Sequence, residues 1–119
     1  MNDDDAIDAL SALAQPTRLS AFRELVRAEP RGISVGELAE RLGVPQNTLS
    51  THLSILSRSG LVAAERRERS VIYRPQLDQV QTLTLFLLND CCGGKPELCS
   101  PVAAALEPSC KPKRGSRVR

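Results

Sequence analysis

Three thiols, Cys91, Cys92 and Cys99, fall within nine residues in the stretch NDCCGGKPELC, directly after an apolar helical pattern ends. Gly93, Gly94 and Pro96 hinge the stretch, and Gly, Lys, Pro and Glu are poor company for a packed core. Clustered thiolates on such a hinge suit the capture of a soft metal or metalloid, since sulfur ligands select soft ions over hard cations. The plainer alternative is reduced cysteine used as a small hydrophobe. A disulfide framework is disfavoured, because a Cys91–Cys92 bridge would close a strained ring and cytosolic thiols are kept reduced. A thiol enzyme with Cys91 or Cys92 as nucleophile is a further class. Catalytic cysteines need electropositive surroundings, whereas this pair follows Asp90 at the negative end of a helix, which favours the thiol form. Ion capture does not suffer in the same way, because the ion itself drives deprotonation. The chain is therefore expected not to be an enzyme. Cys110, eleven residues beyond Cys99 and past Pro101 and Pro108, is expected to be dispensable.

The elements that must carry this cluster have to come from one domain, since the chain has 119 residues. Tryptophan is absent and only Phe22, Tyr73 and Phe86 are aromatic, so the core must be aliphatic. A small aliphatic core is marginal alone, and such chains often gain burial by pairing with a second copy. The net charge of +2 conceals an asymmetry: Lys111, Lys113, Arg114, Arg117 and Arg119 have no acidic neighbour, leaving 11 basic and 14 acidic groups over residues 1–110. That basic end reads as a solvated terminus that can add nonspecific phosphate attraction. The acidic start MNDDDAID lacks the regions of a signal peptide, and no apolar run approaches a membrane span, so a cytoplasmic location without membrane contact is expected.

Apolar spacing predicts a first helix through Ile7, Leu10, Leu13 and Ala14, and a second, opened by Pro16, through Leu19, Phe22, Leu25 and Val26. Glu29 to Gly32 breaks the pattern. Ser34 and Glu37 give a capping-box signal for a short third helix, Val35 to Leu42, ended by Gly43. A fourth is predicted from Pro45 to Ser57 with Leu49, Leu53 and Leu56 buried and Gly60 as its terminator. Two helices joined so tightly make a helix-turn-helix. Strand-like runs Leu61 to Arg66 and Ser70 to Arg74 flank the polar tip Arg67-Glu68-Arg69 and predict a β-hairpin. A fifth helix follows through Leu77, Val80, Leu83, Leu87 and Leu88, its apolar face widened by Leu85 and Phe86. The fold class is thus mainly α with a small β-hairpin wing, a winged helix-turn-helix. Residues 1–92 form the winged-helix domain, with its dimerisation surface, and residues 93–119 a cysteine-containing loop and flexible basic tail.

The outward face of the fourth helix offers Gln46, Asn47, Thr48, Ser50, Thr51 and His52. Short hydrogen-bonding side chains with almost no charge before Arg58 suit the base edges of a major groove. Arg66, Arg67 and Arg69 at the wing tip suit phosphate contacts or a minor groove. Either group alone could be a solvated surface; a polar helix followed by a basic hairpin favours double-stranded DNA as partner. His52, the single histidine, has no second imidazole to share a metal with, so a polar DNA contact or packing beneath the wing is expected.

The stretch Val35 to Val62, VGELAERLGVPQNTLSTHLSILSRSGLV, resembles the ArsR-type (ArsR/SmtB) family of metal-responsive winged-helix repressors. The likeness extends over roughly residues 5–90 and includes Ala12 to Leu25, ALAQPTRLSAFREL. It implies a homodimer through the first and last helices, bound to an inverted-repeat operator and released by an inducer. The acidic-then-apolar start and the surplus apolar face of the fifth helix suit that interface.

Family metal sites vary in position. One arrangement, a Cys-x-Cys pair before the recognition helix, would fall on Ser34 and Gly36 and is missing. Another, carboxylates and histidines along the last helix, is also missing, since Asp78 and Asp90 cannot supply it. A third, known from arsenic-responsive members, has adjacent cysteines plus one more behind the last helix, and Cys91, Cys92 and Cys99 resemble it closely. Trivalent arsenic takes three thiolates in a pyramid, whereas structural zinc prefers four ligands. The inducer implied is As(III), with Sb(III) possible; a redox-responsive or cadmium- or lead-responsive repressor is the alternative within the fold. Neighbouring helical residues point about 100° apart, so capture by Cys91 and Cys92 is expected to unwind or re-aim the end of the fifth helix.

Overall fold

The computed structural model describes residues 1–91, with the backbone alone for Asn89, Asp90 and Cys91. Its elements run α1 (Asp3–Leu13), α2 (Pro16–Arg27), β1 (Ile33–Ser34), α3 (Val35–Leu42), α4 (Gln46–Arg58), β2 (Val62–Arg67), β3 (Ser70–Pro75) and α5 (Leu77–Cys91). The chain divides into two compact units, Met1–Thr84 and Leu85–Arg119, so the boundary falls within α5. No helix among the described residues is long and apolar enough to cross a membrane.

Helix ends follow local chemistry. Asn2 caps α1 in a reciprocal capping box with Asp5, and Asp3 to Asp5 place negative charge at its positive end. The Gln15 side chain caps α2 ahead of Pro16. Ser34 caps α3 by accepting from the Glu37 amide, but the box expected there is only half formed, because the Glu37 carboxylate turns to Arg41 at 2.6 Å. Gly43 adopts the left-handed conformation (φ 69°) that turns the chain between α3 and α4. Gly60 (φ 82°) does the same after α4, where the Leu61 amide reaches back to the Leu56 carbonyl at 3.0 Å.

The expected two-stranded hairpin is a three-stranded antiparallel sheet in the order β1-β3-β2. Ile33 pairs with Tyr73 and Ser34 with Ile72, adding a two-residue strand on the outer side of β3. Two residues carry no periodicity, so pattern alone could not reveal it. Register along the hairpin runs from Val62 opposite Pro75 to Arg67 opposite Ser70. Glu68 at the tip takes a positive φ of 55°.

The core is aliphatic, as composition requires. Leu25, Ile33, Leu38, Leu49, Leu53, Leu56 and Leu61 are its largest fully buried side chains. The apolar residues of the first two helices divide between core and surface. Ala6, Ala9 and Ala12 are the buried side of α1, while Ile7 is 58% and Leu10 43% exposed. On α2, Phe22 and Leu25 are buried but Leu19 and Val26 are exposed. Small alanines let α1 lie close to its neighbours, so its bulky residues face away. On α5, Leu83 is buried, whereas Leu77, Leu85 and Leu87 are exposed.

Leu53→Ala is expected to destabilise the fold by about 2–5 kcal/mol through lost burial and a cavity at the centre of the core. Gly32 is buried with φ 81°, and a Cβ there would collide with Ile72 and meet the Arg74 side chain at 2.9 Å. Gly32→Ala should therefore cost at least about 1–3 kcal/mol. Denaturant titration of both variants provides the check, the m-value staying constant in each.

Candidate nucleic-acid interface

Burial of Leu49, Leu53 and Leu56 fixes the rotation of α4. With about 100° per residue, Asn47, Thr51, Ser54 and Arg58 are carried to the opposite side. Thr48 and Ser50 flank that face, Gln46 lies toward the leucine side in the first turn, and all seven are exposed. Asn47 Oδ1 accepts from the Thr48 amide at 2.9 Å, and the Thr51 hydroxyl donates to the Asn47 carbonyl at 3.4 Å. Gln46 lines an open cleft with Gly36, Glu37, Glu40 and Gly43 at the turn into α4. The helix thus presents amides and hydroxyls, with Arg58 at its far end.

His52 stands apart from this face. It lies roughly 65° from the centre of the leucine stripe by helical geometry, is half-buried, and its Nδ1 is 3.3 Å from Arg18 Nη1 on α2. Arg18 also donates from Nε to the Ala12 carbonyl at 2.6 Å. Nothing in the chain's periodicity signals this bridge, because its partners are 34 residues apart.

The three wing arginines separate into two kinds. Arg67 is committed within the molecule: Nη1 donates to the Arg31 carbonyl and Nη2 to Glu65, both at 2.9 Å. Arg66 and Arg69 are exposed, and neither forms a side-chain hydrogen bond or ion pair with a described residue. A second latch holds the base of β3, where Arg74 grips both oxygens of Glu29 at 2.8 Å. Those bonds from the guanidinium hold the Glu29 carboxyl below its ordinary value, against a smaller opposing effect of burial. Both latches reach the loop joining α2 to β1. They went unnoticed in the sequence because Glu29 and Arg31 read simply as a helix break.

The expected metal ligands divide differently. The backbone of α5 is helical through Cys91. The Cys91 side chain, Cys92 and Cys99 lie outside the described residues, as do Cys110 and the basic end. Among the described residues no group of three or more His, Cys, Asp or Glu side chains could hold a metal ion.

Comparison with known proteins agrees with this architecture. A family model described as a helix-turn-helix domain matches residues 13–64. The transcriptional activator HlyU of Vibrio cholerae is 35% identical over 86 residues, covering 72% of this chain and 77% of that protein. The structure of an ArsR-like transcriptional regulator from Rhodococcus sp. RHA1 superposes with a TM-score of 0.68 at 26% identity, covering 87% of this chain and 92% of that one. The chain belongs to the ArsR-type family of winged-helix regulators. The biofilm growth-associated repressor of Xylella fastidiosa is 37% identical over 70 residues. That match covers 59% of each protein, less than two thirds of the relative's length.

Glu29→Gln removes the charge from the Arg74 latch of this family member. Because the folded state lowers the Glu29 pKa, the latch stabilises fully above the ordinary carboxylate range and loses its contribution as pH falls through the lowered value. Glu29→Gln should therefore be less stable than wild type near neutral pH, by less than Leu53→Ala, and the two curves should converge in acid. Thermal melts from pH 7 down to pH 3 measure the convergence.

Proposed function

We propose that the chain is a homodimeric transcriptional repressor that binds inverted-repeat operator DNA and lets go when As(III), or the similar Sb(III), is captured by Cys91, Cys92 and Cys99. The observation that supports the DNA half is the placement of an uncharged polar helix face beside two uncommitted wing arginines. In this reading Asn47, Thr51 and their neighbours meet base edges in the major groove. Arg66 and Arg69 meet phosphate, and Arg67 braces the wing that carries them. The exposed Ile7 and Leu10 of α1, and the exposed Leu85 and Leu87 of α5, support pairing of two copies through those helices.

The sensing half is supported by the donor set. Cys91 is the last residue of α5, Cys92 and Cys99 follow it in sequence, and three sulfur donors satisfy a pyramidal metalloid without a fourth ligand. The helical backbone reaches Cys91, and neighbouring thiolates on a helix would point about 100° apart, so capture by both would favour a re-aimed helix end. A change at that end of α5 costing or releasing about 1–3 kcal/mol is enough for a 5- to 150-fold change in operator affinity.

Two measurements test the halves separately. Operator binding should weaken steeply with salt. Arg66→Ala and Arg69→Ala should each lower the slope of log K against log salt by about one, whereas Arg67→Ala weakens binding with less change in slope. A salt-independent or absent interaction would sink the DNA reading. Cys91→Ser, Cys92→Ser and Cys99→Ser should bind operator yet fail to release it with arsenite, while Cys110→Ser responds as wild type does. Release by peroxide or cadmium but not by low micromolar arsenite would replace the arsenic assignment with a redox or cadmium one.

A further inference from the structure

Arg18 touches three helices at once. It sits in the first turn of α2, its Nε donates to the buried Ala12 near the end of α1, and its Nη1 meets His52 Nδ1 on α4. A guanidinium has donors only and keeps its proton in proteins. The 3.3 Å contact is therefore a hydrogen bond only when Nδ1 accepts, which puts the imidazole proton on Nε2. We propose that Arg18 is a positioning residue for the reading helix, and that neutral His52 is the acceptor through which it ties α4, already turned by its leucines, to the joint between α1 and α2. The functional consequence rests on the DNA-binding reading above; the geometry does not.

Leucine packing decides which face of α4 turns outward but, being non-directional, holds the tilt and axial position of the helix less tightly. A hydrogen bond on the flank of the helix supplies direction, and Arg18 ties it to the joint between α1 and α2. Protonation of His52 turns the acceptor into a donor and sets two cations face to face. The charged groups about the pair are few. Asp8 of α1 and Arg58 of α4 line an open cleft with Arg18, Ser11, Ile55 and Ser59. Asp8 forms no ion pair with Arg18 or His52, and neither α3 nor β2 offers His52 a hydrogen bond or ion pair among the described residues. Among the described residues no carboxylate forms an ion pair with His52 or Arg18.

The sign of the pH effect separates this role from a direct DNA contact. An imidazolium against phosphate tightens binding on acidification; a lost Arg18 acceptor weakens it. His52 is the single histidine of the chain, so its ring nitrogens give unambiguous ¹⁵N signals in the full-length reduced protein. At pH 8 these should show bare Nδ1 and protonated Nε2, shifting toward a mixture of tautomers in Arg18→Ala. A ring protonated on Nδ1 overturns the inference whatever the DNA result. Wild-type operator affinity should fall as the ring becomes protonated, by up to about fivefold for one lost hydrogen bond, with the protonation state read from the same ¹⁵N signals. The affinity ratio across that titration should approach one in His52→Asn, whose oxygen accepts but cannot be protonated, and in Arg18→Ala. Arg18→Lys, which keeps the charge but lacks the fixed fork of the guanidinium, should fall between. Tighter binding in acid, abolished by His52→Asn, would place the ring on phosphate and overturn the positioning role. Absence of any salt-dependent operator binding by wild type removes the DNA reading and this role together, with the tautomer still deciding the geometry.

Discussion

The burial of three leucines on one helix governs the rest of the molecule. Leu49, Leu53 and Leu56 of α4 are wholly inaccessible, alongside Leu25 of α2, Leu38 of α3 and Leu61 at the entry to the wing. A helix period of about 3.6 residues leaves no freedom about what faces outward once they are inside. Asn47, Thr51, Ser54 and Arg58 then become a surface, and no separate device is needed to display them. The same element is therefore the middle of the core and the candidate reading head. Changes on its polar side can alter recognition while leaving its apolar side intact, which lets one fold serve many sequences of DNA.

Apolar packing fixes depth more firmly than direction, and the charged groups of this chain complement it. Arg74 clasps Glu29, Arg67 reaches the Arg31 carbonyl, and Gly32, just after those loop positions, comes close enough to β3 that a side chain would not fit. The loop after α2 thus holds the sheet at two points, with β1 hydrogen-bonded along β3 beside it. Surface ion pairs are usually worth little. A two-pronged guanidinium–carboxylate contact is the exception in geometry, since it constrains angle as well as distance. The wing can then present Arg66 and Arg69 from a defined position, because other arginines have been spent on holding it.

Helices were legible because their signals are local: Pro16, Ser34, Gly43, Pro45 and Gly60 punctuate apolar stripes with the right spacing, and each occurs within a residue or two of an observed helix end. Which residues of α1 enter the core is not legible from hydrophobicity alone. Ile7 and Leu10 are more apolar than Ala6 and Ala9, yet only small side chains permit the close approach that the interior requires. The short β1 and the contacts Arg18–His52 and Arg74–Glu29 were illegible for one shared reason. Each joins positions tens of residues apart through partners whose types have many other uses, and no short-range pattern encodes such a meeting.

The proposed response to a thiol-seeking ion is energetically undemanding. Backbone hydrogen bonds in a helix are each worth about 0.5–1.5 kcal/mol net, so undoing the last turn of α5 involves a few kcal/mol. Asp90 and Cys91 lie at a negative helix end with no basic residue in the last turn to steady it. Gly93 and Gly94 follow immediately and favour no helical continuation. An end of that kind is held weakly in the free protein, so most of the free energy of forming sulfur bonds would remain to favour the altered state. An inducer shifts such an equilibrium only by its differential affinity for the two states. Adjacent thiols that cannot both face one point while helical would make that differential large, and a trio spaced at helical intervals would make it small. On the proposed reading, the adjacency of Cys91 and Cys92 would suit the segment to switching rather than to storage.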